Sequence, residues 1–354
     1  MKLYKALKDI FDQYGIDMLE KETLVNFLAD YRAFEVKATR RVMHTFLQMG
    51  YGSKVLQLDI ADAPDKLLKI RSFASQLAQE GYQEIHVNYV LDSVCYALEW
   101  LELPPDEITD EQIIVASNKR NFTIGNASFC MIYVKGGSFD MGGTPEQGRF
   151  ASFDEKPSQQ VTLSDYYIGE TAVTQELWEA VMQDNPSHFK GMDLPVERVS
   201  WEECQTFITK LSQLTKCQFR LPTEAEWEFA ARGGNQSQNF KYAGCDDGNQ
   251  NDYVWSKDNS QTKSHEVKSM QPNELGIYGM SGNISEWCND WYFNSYGNGG
   301  LRTNPTGPNS GNTKVYRGGS WDDKLMNCRL SKRFNMNPIY RNKLVGFRLA
   351  ATIL

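Results

Sequence analysis

Along the first hundred residues, apolar side chains return at helical spacing. Leu3, Leu7, Ile10, Phe11 and Tyr14 share one face, and Gly15 follows as a C-cap. Leu24, Phe27, Leu28 and Tyr31 repeat the pattern, as do Val42, Met43, Phe46 and Leu47, which stop at Gly50. Pro64 opens a fourth run through Leu67, Leu68, Phe73 and Leu77. A fifth goes from Val87 through Val90, Leu91, Val94 and Leu98 to Trp100. Pro104-Pro105 and the polar stretch 106–118 read as a linker. Residues 1–115 are therefore expected to form a small bundle of about five helices.

From Phe122 the period changes. Short β-rich pieces are broken by Gly, Asn and Asp, and MIYVKGGSFDMGG holds two period-2 runs around Gly136-Gly137, which predicts a hairpin. Helical spacing returns in Gln175–Met182 and in Trp201–Leu214, the latter with Ser200 as N-cap and Glu203 at the capping-box position. RLPTEAEWEFAARGG predicts a third helix, with Thr223 as N-cap, Glu226 three residues on and Gly233 at its end. The remainder is loop-rich with isolated strands, VGFRLAATI being the last. Pattern alone specifies an α+β domain with many turns.

Composition sharpens this division. The 354 residues suffice for two domains. Residues 1–118 hold 12 Lys/Arg against 19 Asp/Glu and only 4 of the 27 glycines. Trp100 is their one tryptophan of eight. An acidic, glycine-poor segment thus precedes a glycine- and tryptophan-rich one. The overall charge of −8 argues against nucleic acid as a partner, since such binders carry a basic face. No Sec signal opens the chain and no window of 18 uncharged apolar residues occurs, so no membrane span is expected. The expected location is the cytoplasm, with non-Sec export as the alternative.

Cys95, Cys130, Cys204, Cys217, Cys245, Cys288 and Cys328 are odd in number and never spaced C-x-x-C, which excludes a disulfide scaffold or zinc ribbon and suggests packed thiols. His44, His86, His188 and His265 form no metal-binding pair, and no phosphate loop or nucleophile elbow appears. The helical segment offers no chemistry of its own and reads as a docking or oligomerisation module with an unknown partner.

MIYVKGGSFDMGG, ETAVTQELWEAVM, LPVERVSWEECQTF, RLPTEAEWEFAARGG, NELGIYGMSGNISEW, YRGGSW and VGFRLA follow one another in this order. Together they resemble the formylglycine-generating enzyme family, or sulfatase-modifying-factor domain, over residues 120–354. The resemblance implies a loop-rich variant of the C-type lectin fold. It also raises three metal questions. Oxidase members bind copper through two cysteines, five residues apart, after the GGS turn. Here the turn is Gly318-Gly319-Ser320; the second position is Cys328, but the first is Asp323. A hard carboxylate does not replace a soft thiolate for Cu(I), so copper and oxidation of a substrate cysteine are not expected. Ser320 and Cys328 would be catalytic only under the alternative reading, a formylglycine-generating-type oxidase acting on a protein cysteine. A cousin with an iron-binding H-x-x-x-H-x-E helical bundle fails on ligands. The resemblance finally admits calcium beside GMSGNISEW, through the Gly282 and Ile284 carbonyls and the Glu286 carboxylate, although Gly279 stands where the family has Asp or Asn. The other reading of Glu286-Trp287 is a structural turn with a buried tryptophan. No cofactor is required.

The last segment, 317–350, departs from the family. Its framework is Arg317, Gly318-Gly319-Ser320-Trp321, Cys328-Arg329, Arg333, Pro338, Arg341 and Gly346–Ala350. Between stand Asp322, Asp323, Lys324, Leu325, Met326, Lys332, Phe334, Met336, Ile339, Tyr340, Lys343 and Leu344, interspersed with Asn327, Asn335, Asn337 and Asn342. This resembles the variable region of proteins diversified by retroelements, which mutate adenines in Asn-type codons. From AAC, changes at the two adenines reach Asp, Phe, Ile, Tyr and Leu, all present here; Lys and Met need other codons. Phe334, Met336, Ile339, Tyr340 and Leu344, if exposed, would form an apolar patch rimmed by charge, with aromatic anchors beside adaptable polar groups. The other reading packs several of them inward. The expectation is a non-catalytic binder that presents residues 322–344 to a protein or cell-surface ligand.

Overall fold

A computed structural model describes residues 1–352 apart from 35, 61–69, 71, 72, 75, 78, 79, 101–118 and 296–300. The chain divides into two units, Met1–Ser117 and Asn118–Leu354.

The first unit is helical: α1 (Leu3–Tyr14), α2 (Leu24–Asp30), α3 (Lys37–Gln48), α4 (Tyr51–Ile60) and α5 (Glu84–Ala97). Its core gathers the apolar stripes, with Leu3, Leu7 and Ile10 of α1, Val42 and Phe46 of α3, and Val87, Leu91 and Val94 of α5 all buried. The sequence reading missed α4. Gly50, with φ of +69°, ends α3, and Tyr51 starts a new helix at once. Gly52 then lies so close to the Leu19 carbonyl that a Cβ would overlap it. The run that Pro64 opens, and the linker at 104–118, lie largely outside the described residues, although Phe73 and Leu77 are buried in this core.

The second unit holds α6 (Gln175–Met182), α7 (Trp201–Thr215) and α8 (Glu224–Ala231) among twelve described strands. Each helix starts where its cap dictates. Thr174 Oγ1 accepts the Leu177 N–H, and Ser200 with Glu203 and Thr223 with Glu226 form reciprocal capping boxes.

The strands are β1 (Lys119–Ile124), β2 (Ala127–Val134), β3 (Ser138–Met141), β4 (Gln159–Thr162), β5 (Tyr166–Gly169), β6 (Phe219–Arg220), β7 (Ser285–Trp291), β8 (Arg302–Thr303), β9 (Lys314–Arg317), β10 (Arg333–Met336), β11 (Val345–Phe347) and β12 (Ala350–Thr352). They form three sheets, ordered β1-β2-β5-β12-β6, β10-β9-β7-β11 and β3-β4-β8.

Two strand expectations are corrected. The runs around Gly136-Gly137 are not a hairpin: β2 pairs with β1 and β5, whereas β3 pairs with β4 in another sheet. At that switch, a Cβ on Gly136 would overlap the Leu163–Asp165 backbone. The hairpin is β1–β2, turned at Gly125, whose φ is +60°. VGFRLAATI is likewise two strands. β11 runs parallel to β7, and the chain then crosses at Arg348-Leu349 so that β12 pairs between β5 and β6.

Candidate functional site

The segment 317–350 is held from beneath by four buried arginines. Arg329 grips Glu155 with Nη1–Oε2 and Nη2–Oε1 both at 2.9 Å. Arg333 grips Glu224 at 2.6 and 2.8 Å, and its Nη1 donates to the Asp154 and Phe293 carbonyls. Arg348 grips Glu286 at 2.9 and 2.8 Å. Arg317 pairs with Glu228 and lies 3.2 Å from Glu224. Bidentate guanidinium–carboxylate geometry satisfies both charges where water is excluded. Arg317 and Arg333 lie on the neighbouring strands β9 and β10, and three of the acids come from outside that sheet: Glu224 and Glu228 on α8, and Glu155 in a short 3₁₀ turn. Arg341 departs from this set, pairing with Glu203 at the surface.

The residues between these anchors divide. Lys324, Asn335, Ile339, Tyr340 and Lys343 are exposed, Ile339 and Tyr340 by 58% each. Asp322 is half-exposed and lies 3.2 Å from Lys257. Lys343 places its ammonium 4.9 Å from the Trp321 ring centre. Lys332 donates to Ser152 Oγ at 2.9 Å and lies over Phe334. Phe334 is half-buried and stacks on Tyr316, its cross-strand partner, at 5.2 Å. The outward patch expected of five apolar residues is therefore narrower. Met336 and Leu344 pack against the second unit's core, Leu344 beside Trp321 and Phe189, and Leu325 packs with Cys328. On β10 the period of 2 points Phe334 and Met336 to the side of Tyr316, which itself packs on Trp287. Asn327 and Asn337 are half-buried, and Asn337 Oδ1 accepts the Ile339 N–H.

Sequence reasoning did not single out Phe153 or Phe293, although they are 93% and 56% exposed. Arg333 holds their loops together through its two carbonyl contacts, beside Lys332. Only tertiary structure places these loops next to β10.

The metal readings can be tested against the side chains present. For copper, Ser320 donates its hydroxyl and its N–H to the Asp323 carboxylate, and Cys328 is fully buried. Burial, then the Asp323 and Asp258 carboxylates, push the Cys328 thiol up. A protonated, enclosed thiol beside an occupied carboxylate does not fit Cu(I). For calcium, Glu286 has both oxygens engaged by Arg348, and Oε2 also accepts Trp227 Nε1–H at 2.7 Å. The expected carboxylate ligand is thus committed elsewhere, and Gly282, Ile284 and Glu286 do not fit a calcium site. Among the described residues, no group of three or more His, Cys, Asp or Glu could hold a metal. No helix among them is long and apolar enough to cross a membrane.

Short helices, small sheets and long ordered loops over a core of buried Arg–Glu pairs define a C-type lectin-like domain preceded by helices. The chain belongs to the sulfatase-modifying factor enzyme 1-like domain family, whose profile matches residues 124–353. It is 31% identical to chaperone protein LppX of Paenibacillus barcinonensis, over 59% of this chain and 85% of that one. It is also 32% identical to the formylglycine-generating enzyme of Streptomyces coelicolor, over 44% of this chain and 52% of the enzyme, about half its length. Among solved structures, Treponema denticola variable protein 1 superposes with a TM-score of 0.61 and 33% identity, covering 66% of this chain and 99% of that one.

Proposed function

We propose that this protein is a non-catalytic ligand binder whose lectin-like scaffold presents residues 322–344 to a protein or cell-surface ligand, and that a retroelement rewrites this surface. One observation carries the reading. Arg317, Arg329, Arg333 and Arg348 are buried and fixed by carboxylates, whereas Lys324, Asn335, Ile339, Tyr340 and Lys343, which lie between them in the chain, are exposed. Scaffold and surface are thereby separated residue by residue, so side chains can change where no core pair depends on them. The likeness to a variable protein supports the same reading. Ile339 and Tyr340 would be the apolar anchors, with Lys343, Lys324 and Asp322 as the charged rim and Phe334 at the edge.

Two measurements test it. The neighbouring DNA should hold a reverse transcriptase gene and a near-copy of the codons for 317–350 that differs only at adenines; absence of both removes the diversification claim. The protein incubated with Cu(I), oxygen and a cysteine-containing peptide should form no aldehyde beyond a protein-free control, and turnover to an aldehyde would overturn the non-catalytic reading.

A further inference from the structure

The helical unit carries a charge feature that its packing does not require. Lys37, Arg40, Arg41 and His44 of α3 follow one another at i, i+3, i+4 and i+7, and all four are exposed. At 1.5 Å per residue they make one stripe about 10 Å long. The opposite face of α3, with Val42, Met43, Phe46 and Leu47, supplies the core. Polar residues of any kind would therefore let the helix form and pack.

Arg40, Arg41 and His44 line a groove of about 470 Å³ whose other walls include Thr23, Asn26 and Tyr82. Tyr82 is fixed by a 2.7 Å hydrogen bond with Thr45. Glu22 is the acidic side chain among the lining residues, so the groove is net positive. Among the described residues no carboxylate forms an ion pair with Lys37, Arg40 or Arg41. This basic stripe stands in a segment whose net charge is −7, from 12 basic and 19 acidic residues in 1–118.

We propose that this groove binds an acidic peptide segment of a partner protein. Guanidinium groups match carboxylates in a planar, bidentate fashion. A stripe of about 10 Å spans roughly three extended residues at 3.3 Å each, and alternate side chains of an extended segment share one face, so every second Asp or Glu can meet the cations. The hydroxyl and amide groups of Thr23, Asn26 and Tyr82 offer hydrogen bonds to a peptide backbone. The surrounding negative charge opposes a long polyanion such as nucleic acid, which would extend beyond the stripe.

The test uses the full chain and a fluorescently labelled hexapeptide of alternating Asp and Glu, followed by anisotropy. Saturable binding that weakens with salt is expected, with a matched Lys/Ser peptide not binding. Arg40→Gln/Arg41→Gln should weaken binding at least about tenfold, while far-UV circular dichroism stays unchanged. Lys5→Gln/Arg32→Gln removes the same charge from exposed positions outside the groove and should stay within about twofold. No binding by the unaltered chain, equal weakening by both double variants, or saturable binding of pyrophosphate without the peptide would overturn the proposal.

Discussion

The Ser320 hydroxyl donates to the Asp323 carboxylate at 2.6 Å, and the Ser320 N–H reaches the same oxygen at 3.0 Å. The residue that departs from the family's copper pair therefore ties down the framework turn near the start of the segment 317–350. Asp323→Ala leaves two donors without this acceptor and should cost about 2 kcal/mol, the range for hydrogen bonds to a charged group. Asp323→Asn keeps an acceptor oxygen and should cost less than half of that. Urea denaturation of the two variants checks the order; equal costs would show that the hydrogen bonds are not what Asp323 contributes.

Framework and surface should respond differently to substitution. Arg348→Met leaves Glu286 buried with Trp227 as its remaining hydrogen-bond donor, and removal of one member of a buried pair costs about 3–5 kcal/mol. Ile339→Ala and Tyr340→Ala, at 58% exposure, should each change stability by no more than about 0.5 kcal/mol. Thermal melts of the three variants would reveal a surface role in folding if the last two fell with the first.

The parts of this architecture legible in the sequence are those that local chemistry decides. Ser200 with Glu203 and Thr223 with Glu226 announce their helices because each cap satisfies its own orphan donors within four residues. The false hairpin at Gly136-Gly137 and the single strand read into VGFRLAATI fail for a shared reason. Both segments change sheet midway, and what meets them there is distant in sequence: the Leu163–Asp165 backbone at Gly136, and the Glu286 carboxylate at Arg348. The site was half legible. Arg329 and Arg333 could be recognised as framework, but their partners Glu155 and Glu224 lie more than a hundred residues away. Whether Met336 faces water depends on Tyr316 and Trp287, which no pattern within 322–344 contains.

Cys328 should behave as an enclosed thiol. It is fully buried, a Cβ placed on Gly319 would lie 2.9 Å from its sulfur, and burial keeps the thiol protonated at neutral pH. N-Ethylmaleimide at pH 7.5 should leave Cys328 unmodified in the folded protein and label it in denaturant, as read by peptide mass mapping. Labelling of Cys328 at the rate of the less buried Cys217 would mean that this region opens.

Acid should weaken the fold through Glu155. Burial alone would push its carboxyl up, but hydrogen bonds from Arg329, Ser331 and the Ser152 N–H outweigh it and hold the pKa down to about 2. The unfolded chain takes up this proton near pH 4.5, so the stabilisation is complete above that value and is lost as pH falls toward 2. The shift corresponds to about 3 kcal/mol. Glu155→Gln should be less stable than the unaltered chain at pH 6, and the gap should close by pH 2.

Asp290 should act in the opposite direction. Its carboxyl is buried at the start of α8, where it accepts the Glu224 N–H at 2.9 Å. Burial, followed by the neighbouring Glu224 carboxylate, pushes its pKa up to about 8 despite that hydrogen bond. Between about pH 4 and pH 8 the folded protein therefore keeps a proton that the unfolded chain has released. Stability from this group is fully present below pH 4 and declines as pH rises through 8. Asp290→Asn is isosteric, retains an acceptor for the Glu224 N–H and has no proton to lose. The variant should match the unaltered protein near pH 4 and exceed it increasingly toward pH 8, giving a flatter profile of unfolding free energy against pH. A constant offset across that range would show that Asp290 is ionised in the folded state and that Lys314 or Arg333 neutralises it there.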